Sequence, residues 1–168
     1  MRTIEQEGGA VAGVADGEAF ARLFRGHAAS VAVVTTATPS GPVGFTATSV
    51  VSVSAEPPVL AFSLNRTSSS WSAVRAGSRV LVHFLAPEHE SIATVFSRRD
   101  LDRFAEVDWR WDEHGLPRLD AVSTTAHARL VRGVEAGSSE LFLGEVFAID
   151  ALEGRSPLVY CNRAYRRV

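Results

Sequence analysis

The sequence predicts a mainly β fold, an antiparallel barrel with a few short flanking helices. Three observations carry that expectation. Segments rich in Val, Thr and Phe outnumber the helical ones. Prolines and glycines punctuate the chain at short intervals. Successive strands also follow one another too closely, for the most part, to leave room for the crossover helices of a βαβ series.

Taken in order, Asp16 caps a short helix whose Phe20, Leu23 and Phe24 share one face, ending near Gly26. Residues 30–37, SVAVVTTA, form a strand, and Pro39-Ser40-Gly41-Pro42 a turn. The chain returns as one strand over 43–54. Phe45, Ala47, Val51 and Val53 lie on one side of it; Thr46, Thr48, Ser52 and Ser54 lie on the other. The alternation slips at Ser49-Val50, which predicts a bulge or a local bend. Two consecutive prolines, Pro57-Pro58, cannot both enter a central ladder, so the strand stops there.

A strand over 59–64 leads through Asn65-Arg66-Thr67-Ser68-Ser69-Ser70 into the helix WSAVRAG, closed by Gly77. Residues 79–85 form another strand. Pro87 opens the helix EHESIATVFS, where its missing N–H costs nothing. The polar stretch 97–117 reads as irregular, and strands follow near 121–131, 140–149 and 157–160.

At 168 residues, 46% hydrophobic and 21% charged, the chain has the composition of one globular domain over 16–168. Residues 1–15, rich in Gly, Ala and Glu, are expected to form a flexible N-terminus. The formal net charge of −2 supplies no basic field for nucleic acid or an anionic membrane. With neither an apolar run long enough to span a bilayer nor a secretory leader, a cytoplasmic protein is expected. Cys161 is the lone cysteine, so no intrachain disulfide can form.

The common nucleotide-loop, hydrolase-elbow and zinc-helix motifs are absent. His83 and His89 are close in sequence, with Glu88 and Glu90 beside the latter. A solvated helix face explains them better than a metal site. No metal is expected, and Cys161 reads as a buried structural thiol.

Two segments can meet an anion. Asn65–Ser70 precedes a helix, where free N–H groups, hydroxyls and Arg66 would favour phosphate. Thr46–Ser49 offers a second row of hydroxyls. Taken alone, the first is better explained as a solvated N-cap and the second as an exposed sheet face.

Together and in this order they resemble a family. The run VAVVTTATPSGPVGFTATSVVSVSAEPPVLAFSLNRTSSSW is similar to the opening half of the flavin reductase-like, FMN-binding split-barrel family. The resemblance continues through VLVHFL, DRFAEVDW, GLPRLD and ELFLGEV to PLVYCNRAY, about residues 18–166. It implies a six-stranded antiparallel Greek-key split barrel, usually a homodimer. It also implies reduction of FMN or FAD by NADH or NADPH, often for a partner monooxygenase.

Position by position, the resemblance assigns Thr46, Ala47, Thr48 and Ser49 to the flavin's ring and ribityl–phosphate region. Ser63, Asn65, Ser68 and Ser70 match the stretch approaching the phosphate end. Arg103 and Phe104 match a basic–aromatic pair near the cofactor, and Tyr165 an aromatic bordering the site. One departure stands out. The family commonly carries G-D-H ahead of its G-E-V strand; here the chain reads Gly137-Ser138-Ser139-Glu140, so Ser139 occupies the place of a histidine near the nicotinamide. Tyr160-Cys161 likewise replaces a Y-H pair. A serine cannot stack on a pyridine ring, although it can hydrogen-bond a carboxamide.

Overall fold

The computed structural model describes residues 13, 15–151 and 156–167. The expected flexible N-terminus falls almost wholly outside them. Helix α1 (Gly17–Arg25) begins at Asp16, whose carboxylate accepts from the Glu18 and Ala19 amides at 3.3 and 3.1 Å. Short β1 (Ala29–Ser30) is followed by β2 (Ala32–Thr38) and β3 (Gly41–Ala47), a hairpin closed by Pro39 and Ser40. Then come β4 (Val51–Ala55), β5 (Pro58–Asn65), α2 (Trp71–Ala76) and β6 (Arg79–Phe84). A 3-10 turn at Pro87–His89 runs into α3 (Glu90–Ser97), and a second at Arg103–Glu106 precedes the hairpin β7 (Trp109–Trp111) and β8 (Pro117–Leu119). The long hairpin β9 (Thr125–Ala136) and β10 (Ser139–Asp150) follows. Its two-residue turn sets Gly137 at φ +58°, where a residue without Cβ is favoured. β11 (Leu158–Cys161) and β12 (Ala164–Arg167) end the described chain.

The main sheet is antiparallel, with order β3-β2-β6-β9-β10-β5-β4. Its two edges, β3 and β4, are joined by only residues 48–50, so the ends of the two strands lie within about 14 Å of each other. The sheet must therefore curl until its edges approach each other. Phe45 of β3 and Phe62 of β5 meet across the interior with ring centres 6.0 Å apart. This is a barrel left open along one seam.

It has seven strands where six were expected, because the single strand predicted over 43–54 is two. The slip at Ser49-Val50 is a crossover that carries the chain from the β2 side of the sheet to the β5 side. The stretch 97–117, expected to be irregular, also contains β7 and the start of β8, a small separate sheet.

Two cores share β2. Ala32 and Val34 face the barrel interior with Phe45, Phe62, Val80, Val82, Ala128 and Phe142. Val31 and Val33 face outward, under Leu85, Phe96, Phe104, Leu119 and Leu158. Both faces of the strand are covered, which explains its unbroken apolar run. The outer layer consists of α3, the β7–β8 hairpin and the three-stranded sheet β1-β11-β12. Gly44 fits under α3 only because it lacks a side chain: a Cβ there would lie 2.6 Å from the Phe96 ring.

His83 and His89 do not form the solvated face expected. Both are buried, and His89 Nδ1 accepts the Ala86 amide at 3.0 Å, holding the turn that opens α3. Cys161 is half-buried, with Sγ 3.4 Å from the Gly26 carbonyl. Among the described residues no three His, Cys, Asp or Glu side chains gather closely enough to hold a metal ion. No described helix is long and apolar enough to cross a membrane.

Candidate active site

At the open seam the segments 44–49 and 63–70 run side by side, clasped at both ends. At one end Ser49 Oγ accepts the Ser63 amide at 2.9 Å and donates to the Ser63 carbonyl at 3.2 Å. At the other, Ser70 Oγ donates to the Gly44 carbonyl at 3.4 Å. β3 is an edge strand here, so one side of its backbone is free of ladder partners. The two hydroxyl-bearing segments that the sequence singled out converge in space.

Arg103 reinforces the second clasp. Its Nη1 donates to the Gly44 carbonyl at 2.6 Å and to Ser70 Oγ at 3.2 Å, and its Nε donates to the Arg98 carbonyl at 2.6 Å. Among the described residues these partners are all neutral oxygens, with no carboxylate to balance the charge. Burial, then the neighbouring Arg99, lowers the affinity of this guanidinium for its proton. Arg103 and Ser70 line a pocket of about 190 Å³ together with Gly44, Ser69, Phe104 and Asp102, whose carboxylate accepts the Phe104 amide at 3.1 Å and makes no ion pair with Arg103 among the described residues. A half-buried cation without a counter-ion beside a row of hydroxyls is an environment that attracts an anion.

The turn 65–70 is itself well formed. Asn65 Oδ1 accepts the Thr67 amide and hydroxyl, both at 2.8 Å, and Ser68 Oγ accepts the Ser70 amide at 3.3 Å. Arg66 is exposed; its amide donates to the Ser138 carbonyl at 3.0 Å and its side chain reaches the Gly137 carbonyl and Glu135. α2 has only six residues and Ser70 makes no side-chain cap bond, so a long helix dipole is not available at this turn.

The remaining sequence-derived residues divide. Ser139 starts β10 directly opposite Asn65, at the same end of the barrel as the turn. Thr48 is exposed beside Ser49. Thr46 donates its hydroxyl to the Ala93 carbonyl at 2.7 Å and so ties β3 to α3. Ala47 faces the barrel core, which leaves only its backbone for a ligand. The Phe104 ring is buried edge-on against Phe96 and Trp109, at 5.1 and 5.2 Å, and is part of the outer core. Tyr165 packs 5.3 Å from the Tyr160 ring and meets Thr94 and Ser97 of α3; burial, then Tyr160, raises the affinity of its phenol for the proton.

Sequence reasoning passed over one contact at this end. The buried carboxylate of Glu140 accepts the Trp71 indole N–H at 2.8 Å, across 69 positions of sequence. Only the strand pairing that sets β10 beside β5 brings these two together.

Comparison with known proteins matches residues 24–168 to the Flavin reductase like domain. A protein named FMN reductase (NADH) RutF from Ancylobacter novellus is 37% identical over 153 residues, covering 90% of this chain and 82% of its own. The 4-hydroxyphenylacetate 3-monooxygenase reductase component of Pseudomonas aeruginosa is 34% identical over 155 residues, covering 90% and 91%. The crystal structure of a flavin reductase domain protein from Arthrobacter sp. FB24 superposes with a TM-score of 0.85 at 32% identity, covering 90% of this chain and 94% of that one. With the family's domain matched over residues 24–168 and the fold shared with a solved relative over 90% of the chain, the chain belongs to the flavin reductase-like family.

Proposed function

We propose that this protein is an NAD(P)H:flavin oxidoreductase that reduces FMN or FAD with NADH or NADPH. The observation that carries the reading is the clasped pair of segments with uncompensated Arg103 at one end. The residues present fit a flavin nucleotide: Ser69, Ser70 and the Arg103 cation line the pocket, and Thr48, Ser49, Asn65 and Ser68 add hydroxyls and a carboxamide on the adjoining segments. The 190 Å³ pocket is too small for a whole nucleotide and suits its phosphate end.

When bound, the flavin accepts the hydride of the nicotinamide together with a proton, giving reduced flavin and NAD(P)⁺. No acid–base triad is needed. What this chain supplies is position, since holding two reactants in register lowers a barrier by up to about 7–11 kcal/mol. Ser139, in the place of the family's histidine, stands opposite Asn65, and its hydroxyl can donate to or accept from a ligand that reaches it.

The reduced product is suited to diffuse to a flavin-dependent monooxygenase, and the likeness to the reductase component of a two-component hydroxylase supports that partnership. We assign the apolar groove of about 450 Å³ bordered by Val51, Phe84, Val146 and Ile149 to a second copy of the chain, as a homodimer. The cytoplasm, where reduced nicotinamide is made, is the compartment this reading requires.

The test is a four-way assay. Purified protein is mixed with NADH or NADPH and with FMN or FAD, and absorbance at the nicotinamide band is followed. Flavin-dependent consumption in at least one pair is expected; none in all four rejects the reading.

Ser139 in place of the histidine favours a second reading: a flavin-binding protein without nicotinamide turnover, or with a different flavin-dependent oxidation. Yellow protein that retains flavin through gel filtration and is silent in all four assays would select it.

A further inference from the structure

We propose that Glu140 is a positioning residue that sets the phosphate-facing turn 65–70, a role that rests on the flavin-binding reading above. Glu140 is the second residue of β10 and is buried, 5% exposed. A buried carboxylate is costly unless it is bonded, and this one is: Oε2 accepts the Trp71 indole N–H at 2.8 Å, with the Arg75 guanidinium at 3.9 Å. Arg75 in turn lies 5.1 Å over the Trp71 ring. The facing strand makes room. Gly133 of β9 has no side chain, and a Cβ there would collide with the Glu140 carboxylate.

The consequence falls on the turn. Trp71 is the first residue of α2, and its amide donates to the Ser68 carbonyl at 3.1 Å. Fixing the indole therefore fixes where Ser68, Ser69 and Ser70 stand relative to β10. The same dipeptide of β10 serves both faces of the strand. Ser139 borders Asn65, while Glu140 turns inward to hold the residue that follows Ser70. Other anchors hold the turn, the Arg66 amide on Ser138 and Ser70 on Gly44 and Arg103, but the Glu140–Trp71 bond is the one that ties its exit into α2 to β10.

If the turn grips a phosphate, loosening it should weaken FMN much more than riboflavin, which has the ring and ribityl chain but no phosphate. The experiment measures dissociation constants for both by fluorescence quenching, and KM and kcat for both with the preferred nicotinamide. Wild type is expected to prefer FMN at least ten-fold. Glu140→Leu should bring that ratio to within about three-fold of unity while kcat with saturating riboflavin stays within a factor of two. Glu140→Gln, whose amide oxygen can still accept the indole N–H, should restore most of the preference. Trp71→Phe, which keeps a ring but removes the donor, should repeat the loss and covers the case in which Glu140→Leu does not fold.

A wild-type FMN preference retained in both Glu140→Leu and Trp71→Phe would overturn the inference and leave the flavin reading intact. Equal losses for FMN and riboflavin would also overturn it, since they would mark a general structural role. A wild type that does not distinguish the two ligands would overturn the phosphate-gripping turn itself.

Discussion

The two ends of the barrel are both rich in polar side chains, and they differ in what those side chains have left to offer. At the β7–β8 end most of the groups are bonded to one another. Asp150 is bonded by Arg118 and by His127 Nε2, the latter at 2.8 Å. Asp112 Oδ1 accepts the His114 and Leu116 amides, both at 2.8 Å. Its Oδ2 faces His127 Nδ1 at 3.6 Å, and these are the two buried side-chain atoms without a hydrogen bond among the described residues. His83 is enclosed by hydroxyls: Thr35 donates to the Pro117 carbonyl at 2.6 Å, so the ring's Nε2–H donates to Thr35 and Nδ1 accepts from Thr125. At the seam, by contrast, Thr48 is exposed and Arg103 has no counter-ion. The proposed site is set apart by accessible hydroxyls beside a half-buried cation, whereas the polar groups of the other end are mostly turned on one another and closed off.

The comparison can be broken most forcefully at the closed end. Asp112→Ala removes the acceptor of two amides in a nearly inaccessible position, and should cost about 3 kcal/mol of stability by chemical denaturation. Flavin affinity should not change. A variant that loses flavin while keeping its stability would invert the assignment of the two ends.

Thr48→Val makes the reciprocal test. The hydroxyl is exposed, so stability should stay within about 0.5 kcal/mol. Flavin binding should weaken by about 1–3 kcal/mol if that hydroxyl meets a flavin acceptor. Unchanged affinity would remove Thr48 from the site.

His83 sharpens the contrast through pH. Burial pushes its pKa down to about 3, with Arg118 acting in the same direction and the Pro117 carbonyl opposing. The unfolded chain takes up a proton near the ordinary histidine value of 6.5, whereas the folded chain does not until about pH 3. Between those values the unfolded state binds more protons, so stability falls on acidification, by up to about 1.4 kcal/mol per pH unit. Asp150 acts at lower pH: burial pushes it up, but hydrogen bonds from His127 and Arg118 outweigh burial and hold it below the usual carboxylate range. Denaturation curves at pH 7 and 5 should therefore differ by about 2 kcal/mol less in His83→Gln than in wild type. An identical pH slope in the two proteins would show that His83 is not the neutral, enclosed ring described.

The smallest expected effect is on rate at the open end. Ser139→His should speed nicotinamide oxidation several-fold, by placing an imidazole where a pyridine ring can stack. A slower rate would show a site built around the serine.

Much of the fold was legible because local chemistry dictates it. Asp16, Pro39-Ser40, Gly77 and Pro87 act within a few residues of themselves, and the elements they bound are where they were expected. What stayed hidden depends on distant partners. Nothing local in 43–54 says that Val43–Ala47 pairs with β2 and Val51–Ala55 with β5. The short strands β1 and β12 form only against β11, and the burial of His83 depends on Thr35 and Thr125 arriving from other strands. The site followed the same division. Hydroxyl-rich 46–49 and 65–70 could be picked out, and resemblance joined them. Phe104 and Ala47 also pack in the cores, which no sequence pattern reveals, and Phe104 lines the pocket with Arg103 as well. Glu140 escaped notice because a glutamate in a strand ordinarily reads as solvent-facing.

The most direct test of the central claim is a crystal structure with FMN bound. The phosphate should lie between segments 44–49 and 63–70, within hydrogen-bond reach of Ser68 or Ser70 and beside Arg103. A phosphate bound elsewhere on the barrel, with these two segments still clasped on each other and in contact with no part of the ligand, would contradict the account.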